Sequence, residues 1–351
     1  MIHLTTNGGL EDLAAAELRA HAAALGIPLG EVVEKPDGRR GRVGFDAAPE
    51  DLPALIPGLR AIHHALRPLT RFTLPAEGAL AEICAQTAAL DFPELHTAGT
   101  FRVTASRKGR HAFNSVDVQV EAGAVIVERW GLPVRLKQPD LELRYEIMDE
   151  RVEVSVQLTH APLSRRHPRP APLRTALGAN VAWALLTLAN RDRPPPAALL
   201  DPCVGSGTLL LEAAQLWPEA RLFAGDGFEK PAAAARANLA DAGIDALVTV
   251  ADARDIDETF AGQRFDVIVA NPPFGVRLGA QIDFREWYIA FLRAAAGVLA
   301  PGGRLALLAL KRTAFNRALR EVPQMGLTHV RIVDIGGLFP GLFVLERRPV
   351  E

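Results

Sequence analysis

The chain has 351 residues, 49% of them hydrophobic, a formal net charge of −2 and two cysteines, Cys84 and Cys203. That length exceeds one ordinary core and calls for two or three domains. No apolar run reaches the roughly 18 residues of a membrane span, Met1-Ile2-His3-Leu4 does not open a signal peptide, and two distant cysteines exclude a disulfide scaffold or a cysteine-based zinc site. The expectation is a cytoplasmic monomer without metal.

In chain order, Ile2-His3-Leu4-Thr5 is predicted as a strand, and Gly9-Leu10-Glu11-Asp12-Leu13 opens an Ala-rich helix with apolar residues at helical spacing. Residues 36–41 carry turn chemistry, Arg42-Val43-Gly44-Phe45 alternates as a strand, and 54–64 is predicted as a second helix. This order makes 1–65 a small ferredoxin-like domain. Residues 66–160 form a second α+β unit, with a helix over 80–90 and a strand over 100–105. A helix over 115–130 follows, its periodic apolar residues being Val116, Val120, Ala124 and Val127, and paired strands occupy 141–148 and 151–158. Residues 161–172 are rich in Pro and Arg, which suits a linker, and 173–189 reads as an apolar docking helix, so 161–185 is assigned to linker and docking helix.

From 186 to 351 strands and helices alternate, the mark of a mostly parallel, doubly wound α/β sheet. Its strands fall at 197–200, 221–224, 247–250, 265–270, 304–310 and 328–334, with 342–345 as a last, reversed edge. Its helices fall at 208–216, 231–242, 287–299 and 313–321.

Net charge near zero excludes a uniformly basic nucleic-acid binder, but the charge is unevenly spread. No Asp or Glu occurs between Val154 and Arg191, a stretch that carries Arg165, Arg166, Arg169 and Arg174. A second acid-free stretch holds Arg102, Arg107, Lys108, Arg110 and His111. Such local patches suit a polyanionic partner.

Open α/β sheets bind ligands at the carboxyl ends of their strands, near the point where strand order reverses. Four strand ends here carry suitable groups. At the first, Asp201-Pro202-Cys203-Val204-Gly205-Ser206-Gly207-Thr208 runs through a glycine turn into a helix whose amides suit a carboxylate. At the second, Gly225-Asp226 offers an acceptor for ribose hydroxyls; at the third, Asp252-Ala253 offers one for an adenine amino group; Asn271 closes the fourth. A single Gly-x-Gly turn or a single Asp after a strand is commonly structural, so the ordered combination carries the argument. Gly205-Ser206-Gly207-Thr208-Leu209-Leu210 lacks the third glycine of a dinucleotide fingerprint and the Gly-Lys-Ser/Thr of a P-loop. S-adenosylmethionine (SAM) fits best.

Asn271-Pro272-Pro273-Phe274, directly after the apolar run 265–270, points a carboxamide, a carbonyl and a ring outward together. An exocyclic amine on a nucleobase is a poor nucleophile because its lone pair is delocalised into the ring. Acceptors at the Asn271 side chain and the Pro272 carbonyl favour the pyramidal amine and aim its lone pair at a methyl donor, while Phe274 stacks on the ring. A base inside a duplex does not reach such a pocket, so flipping or a loop substrate is implied. Carbon-5 pyrimidine methylation needs a thiolate, and no cysteine follows Cys203.

The motifs Asp201-Pro202-x-x-Gly205-Ser206-Gly207-Thr208, Gly225-Asp226, Asp252 and Asn271-Pro272-Pro273-Phe274 resemble those of Rossmann-like class I amino-methyltransferases. Leu163-Ser164-Arg165-Arg166-His167 with Ala171-Pro172-Leu173 resembles the linker of THUMP-domain RNA methyltransferases, and Phe101-Arg102-Val103-Thr104 resembles a THUMP core strand. Taken together the pattern resembles that of bacterial tRNA guanine-N2 methyltransferases of the TrmN type, which form N2-methylguanosine at tRNA position 6. The resemblance implies a ferredoxin-like domain and a THUMP domain (66–160) that grip the tRNA acceptor stem and its 3′ end, followed by a methyltransferase domain (186–351). It implies a cofactor site of Asp201, Pro202, Cys203, Gly205, Gly207, Thr208, Asp226, Gly227, Phe228, Asp252, Ala253 and Asn271. Gly227 stands where the family carries a bulky apolar side chain, which leaves Phe228 as the candidate adenine wall. RNA phosphates would meet Arg102, Arg107, Lys108, Arg110, Arg165, Arg166 and Arg169. Guanine at another tRNA position such as 10, rRNA guanine, DNA adenine, a protein glutamine, or a non-catalytic RNA-binding role remain alternatives.

Overall fold

The computed structural model describes residues 1–173, 176–273 and 283–348. The chain divides into two compact units, Met1–Thr5 with Leu18–Leu163 and Thr6–Glu17 with Ser164–Glu351.

The first unit is built on one seven-stranded sheet. Its strands are β1 (Ile2–Thr5), β2 (Val32–Glu34), β3 (Arg42–Phe45), β4 (His64–Thr73), β5 (Phe101–Lys108), β6 (Leu141–Met148) and β7 (Arg151–Gln157), in the order β2-β3-β1-β4-β7-β6-β5. Residue 65, the expected domain boundary, lies inside β4, whose two flanks pair with β1 and β7. All pairings are antiparallel except β5 with β6. A parallel pair needs a crossover, which the helix Ser115–Trp130 supplies.

Alternation sends Leu143, Tyr145, Ile147, Val152, Val154 and Val156 to one face, where they pack on Val118, Ala122 and Ile126 of that helix. The periodic set Val116, Val120, Ala124 and Val127 is not the one that packs: it faces solvent, Val116 and Val120 being about 60% exposed. The helix carries two apolar stripes, and contact with the sheet selects the one containing Val118, Ala122 and Ile126. The opposite face of the sheet is ionic. Arg39 (3.0 Å), Arg42 and Arg144 (3.2 Å) converge on Glu146, while Arg39 (2.8 Å) and Arg71 (2.6 Å) hold Glu153. Burial alone would raise the Glu153 carboxyl, but His3, Arg39 and Arg71 hold it down to about 2.

Over 54–64 the expected helix is replaced by a single turn, Leu52–Leu55, and a 3-10 turn, Ile56–Gly58. Pro57 removes a donor there, and Gly58 lies so close to His21 that a Cβ would stand 2.2 Å from its Nε2.

The second unit has β8 (Ala198–Asp201), β9 (Arg221–Asp226), β10 (Leu247–Val250), β11 (Phe265–Ala270), β12 (Leu299–Ala309), β13 (Met325–Ile332) and β14 (Gly341–Arg347), ordered β10-β9-β8-β11-β12-β14-β13. The strands from β10 through β12 are parallel, and β14 runs antiparallel to both neighbours. The last strand is reversed as predicted but is not the edge. It inserts between β12 and β13 because Gly341–Leu345 are all buried, whereas β13 is half exposed along its length. The apolar helix begins at Ala179, after Gly178, and buries ten of its eleven residues in this unit. The segment Thr6–Glu17 also belongs here: Asp334 N donates to Gly8 O (2.8 Å), and a Cβ on Gly9 would stand 2.0 Å from Ile332 O.

Asn114 caps the helix Ser115–Trp130 by accepting from Val116 N (2.7 Å) and Asp117 N (3.2 Å), while Asp117 accepts from Asn114 N (2.7 Å). Asn114→Ala should lower unfolding free energy by about 1 kcal/mol. Urea titration should show an earlier midpoint with an unchanged slope; an unmoved midpoint would remove the cap from the account.

Candidate active site

Strand order reverses at β8, which has β9 on one side and β11 on the other. Leu199 pairs with Val267 and Leu200 with Ile268, so Asp201 and Asn271 emerge at the same edge of the sheet. Between β8 and the helix Thr208–Leu216 the chain turns through Gly205 (φ 54°) and Gly207 (φ 85°), a backbone region that strains any Cβ-bearing residue. The turn is pinned to β9 by Val204 N→Gly225 O (2.9 Å) and Gly205 N→Asp226 Oδ2 (3.1 Å). Gly207 precedes the helix without a side-chain cap, leaving first-turn amides for a ligand.

Asp201 is buried. Its Oδ1 accepts from Cys203 N (3.1 Å), while Oδ2 has no partner among the described residues. Burial, reinforced by the neighbouring Asp226 carboxylate, pushes the Asp201 carboxyl up to about 8. Asp226 is also raised by burial, although Gly205 N and Phe228 N (3.2 Å) donate to it. Asp252 lies below the usual carboxylate range because Arg254 bonds both its oxygens, at 2.9 and 2.6 Å. Gly227 is open to solvent and Phe228, whose amide donates to Asp226, is 74% exposed. Ala253 is buried. Burial, with Asp201, Asp226 and Asp252 nearby, holds the Cys203 thiol well above its ordinary value, which suits packing and not nucleophilic attack.

Asn271 follows β11 directly, and its Oδ1 is buried with no partner among the described residues. Pro272 is buried and Pro273 exposed; Phe274 lies outside the described residues. Among the described residues no group of three His, Cys, Asp or Glu is placed to hold a metal ion, and no helix is long and apolar enough to cross a membrane.

A methyltransferase domain description, "RMKL-like, methyltransferase domain", matches residues 166–340, and a THUMP domain matches 78–157. The tRNA (guanine(6)-N2)-methyltransferase of Thermus thermophilus is 41% identical over 99% of both chains. The chain belongs to the THUMP-domain methyltransferases. Among its relatives, the tRNA (guanine(6)-N2)-methyltransferase of Archaeoglobus fulgidus is 29% identical, covering 97% of this chain and 91% of its own. The crystal structure of TrmN from Thermus thermophilus matches with a TM-score of 0.76 and 38% identity, covering 99% of both chains.

Within this family member the basic residues singled out from the sequence separate into two groups. Arg107, Lys108, Arg110 and Arg165 are exposed. Arg102 is turned to Glu142 and to Leu136 O (2.7 Å). Arg166 forks onto Glu212 (2.8 and 2.9 Å), which His167 also bonds, and Glu212 has no exposed side-chain surface. Arg169 lies against Ser206 Oγ (3.4 Å). Asn238 completes this assembly by bonding Ala171 N (2.9 Å), Ala171 O (3.1 Å) and Ser206 O (3.0 Å). Arg174 lies outside the described residues. Glu212 and Asn238 were not singled out above; the signal for Glu212 is an acid inside the apolar run Leu209-Leu210-Leu211-Glu212-Ala213, which demands a buried partner.

An unfolded Asp titrates near 3.8 and folded Asp201 near 8, so between those values the folded state holds the extra proton. Stability from this group is full below about pH 4, falls as pH rises to about 8, and is level above. Asp201→Asn keeps the shape and does not ionise. The melting temperature of the variant minus that of the wild type should therefore grow from pH 5 to 8 and then level off; a pH-independent difference would exclude the buried proton.

Proposed function

We propose that the protein transfers a methyl group from SAM to the exocyclic N2 of a guanosine in tRNA, at position 6 of the acceptor stem. The observation that carries this reading is a pair of buried oxygens without partners among the described residues, Asp201 Oδ2 and Asn271 Oδ1, at adjacent strand ends. A buried polar atom without a partner costs about 1–3 kcal/mol, so both suit ligands that donate hydrogen bonds. The position follows the names of the Thermus and Archaeoglobus relatives.

The donor set fits SAM. Asp201 faces its ammonium, the open amides from Thr208 onward face its carboxylate, and Asp226 faces the ribose hydroxyls. Pro202, Cys203, Gly205 and Gly207 form the floor, Gly227 and Phe228 flank the adenine, and Ala253 packs beside it. Asp252 keeps lone-pair capacity for the adenine amino group, since its Oδ2 accepts one bond from Arg254. When bound, SAM supplies an already activated methyl group on a sulfonium.

The chain's own contribution is orientation. The Asn271 oxygen and the Pro272 carbonyl accept from the N2 hydrogens, localise the lone pair and hold it in line, with Phe274 stacking on the purine. The guanine leaves the stem stack to reach Asn271. Exposed Arg107, Lys108, Arg110 and Arg165 hold phosphates and set position without reading sequence. A tRNA substrate places the work in the cytoplasm.

Asn271→Ala should reduce methylation of tRNA transcript at least about a hundredfold, the scale of a lost transition-state hydrogen bond, while calorimetric SAM binding persists. Undiminished turnover would refute the acceptor role. Nucleoside analysis of the wild-type product should give N2-methylguanosine at position 6. Methyladenosine, methylated rRNA fragments, or label at position 10 would each replace the substrate named here.

Replacing Arg107, Lys108 and Arg110 together with Ala should flatten the salt dependence of tRNA binding by about 2–3 in log–log slope, just under one per lost phosphate contact. An unchanged slope would take this loop off the RNA.

A further inference from the structure

Arg169 has an environment unlike that of the other linker arginines. Arg165 is solvated, and Arg166 is neutralised by the fork to Glu212. Arg169 is half-buried, its Nε is buried with no partner, and among the described residues its guanidinium makes one long hydrogen bond, 3.4 Å from NH1 to Ser206 Oγ. Burial pulls the guanidinium below its ordinary value despite the attraction of Glu212. The nearby Glu212 carboxylate is already bonded by Arg166 and His167. A guanidinium is a planar fork of five donors and does not lose its charge, so a desolvated one with open donors is matched to a carboxylate or phosphate.

Its position selects between those two. Ser206 lies between Gly205 and Gly207 in the turn that opens the helix Thr208–Leu216 and is itself 3% exposed. Asn238 bonds both the Ser206 carbonyl and the backbone of Ala171, two residues after Arg169, so linker and turn are held together as one piece. The guanidinium therefore addresses the turn that carries the uncapped helix amides, which favours the ligand carboxylate expected at that helix end.

We infer that Arg169 is a cofactor-binding residue that, together with the first-turn amides of the helix Thr208–Leu216, holds the carboxylate of SAM's methionine moiety. The inference rests on the SAM reading above and names a residue for one end of the ligand. Asp201 and Arg169 then divide the amino-acid end between them, Asp201 taking the ammonium and Arg169 the carboxylate. Discrimination follows: the site accepts the zwitterion and rejects an adenosyl sulfonium that carries an amine alone.

The test is equilibrium binding by calorimetry, with SAM and with decarboxylated SAM as the probes. Wild type should bind SAM at least about tenfold more tightly than the decarboxylated form, as expected for a charge-assisted pair worth 1.4 kcal/mol or more. Arg169→Gln should weaken SAM by a similar factor, leave decarboxylated SAM unchanged and so erase the preference, and Arg169→Lys should restore part of it. Equal weakening of both ligands would assign Arg169 a structural role and overturn the inference, as would retention of the full preference in Arg169→Gln. The wild-type comparison stands even if the variant does not fold: equal affinity for the two ligands is sufficient to sink the proposal. Absence of SAM binding by wild type would instead overturn the cofactor reading beneath it.

Discussion

Glu212 is the constraint on which the catalytic end of the molecule depends. It sits at the middle of a helix, flanked by Leu209, Leu210, Leu211 and Ala213, and none of its side chain is exposed. An ionised carboxylate in such surroundings persists only if paired and hydrogen-bonded. Arg166 and His167 meet that demand from the linker. Removing one partner of a buried pair typically costs about 3–5 kcal/mol, so the linker is not free to wander. Its attachment brings Ala171 to Asn238 and Arg169 to Ser206, and the glycine turn is thereby supported from beneath by a segment that precedes its strand by about thirty residues.

The site is electrostatically unfinished by itself. Two carboxyls, Asp201 and Asp226, are both pushed upward by burial and stand near enough for Asp226 to add to the effect on Asp201. Oxygens of Asp201 and Asn271 lack partners among the described residues. Atoms of this kind suit a ligand that supplies what the chain withholds. The cost is carried by the surrounding sheet, whose strands β8 and β11 are fully buried apart from Asp266.

Helix and strand assignments in the second unit were legible because the signals are local: an apolar run, a turn, then a periodic run. The less legible elements each involve a choice made by distant contacts. The helix Ser115–Trp130 has two apolar stripes, and periodicity alone favours the one that the structure leaves in water. Residues 54–64 have helical composition, yet Pro57 and the approach of His21 to Gly58 end the helix after one turn. Strand β14 reads as an edge from its place at the end of the chain, but its buried pattern on both faces puts it inside the sheet.

What the sequence by itself determined is where the candidate site residues fall, since Asp201, Gly205, Gly207, Asp226, Asp252 and Asn271 all stand at or shortly after the end of a strand that is identifiable from a few adjacent residues. What only the tertiary structure decided is which arginines are paired within the chain and which are left to solvent. A run of positive charge reads as an RNA surface whatever lies opposite it. The acid that neutralises Arg166 is 46 residues away, and the one that meets Arg102 is 40 residues away. Charge sums along a chain do not report such pairings, because solvation is settled by what folds against each guanidinium. That is why Arg165 remains in water while Arg169, four residues on, lies against the turn at the end of β8.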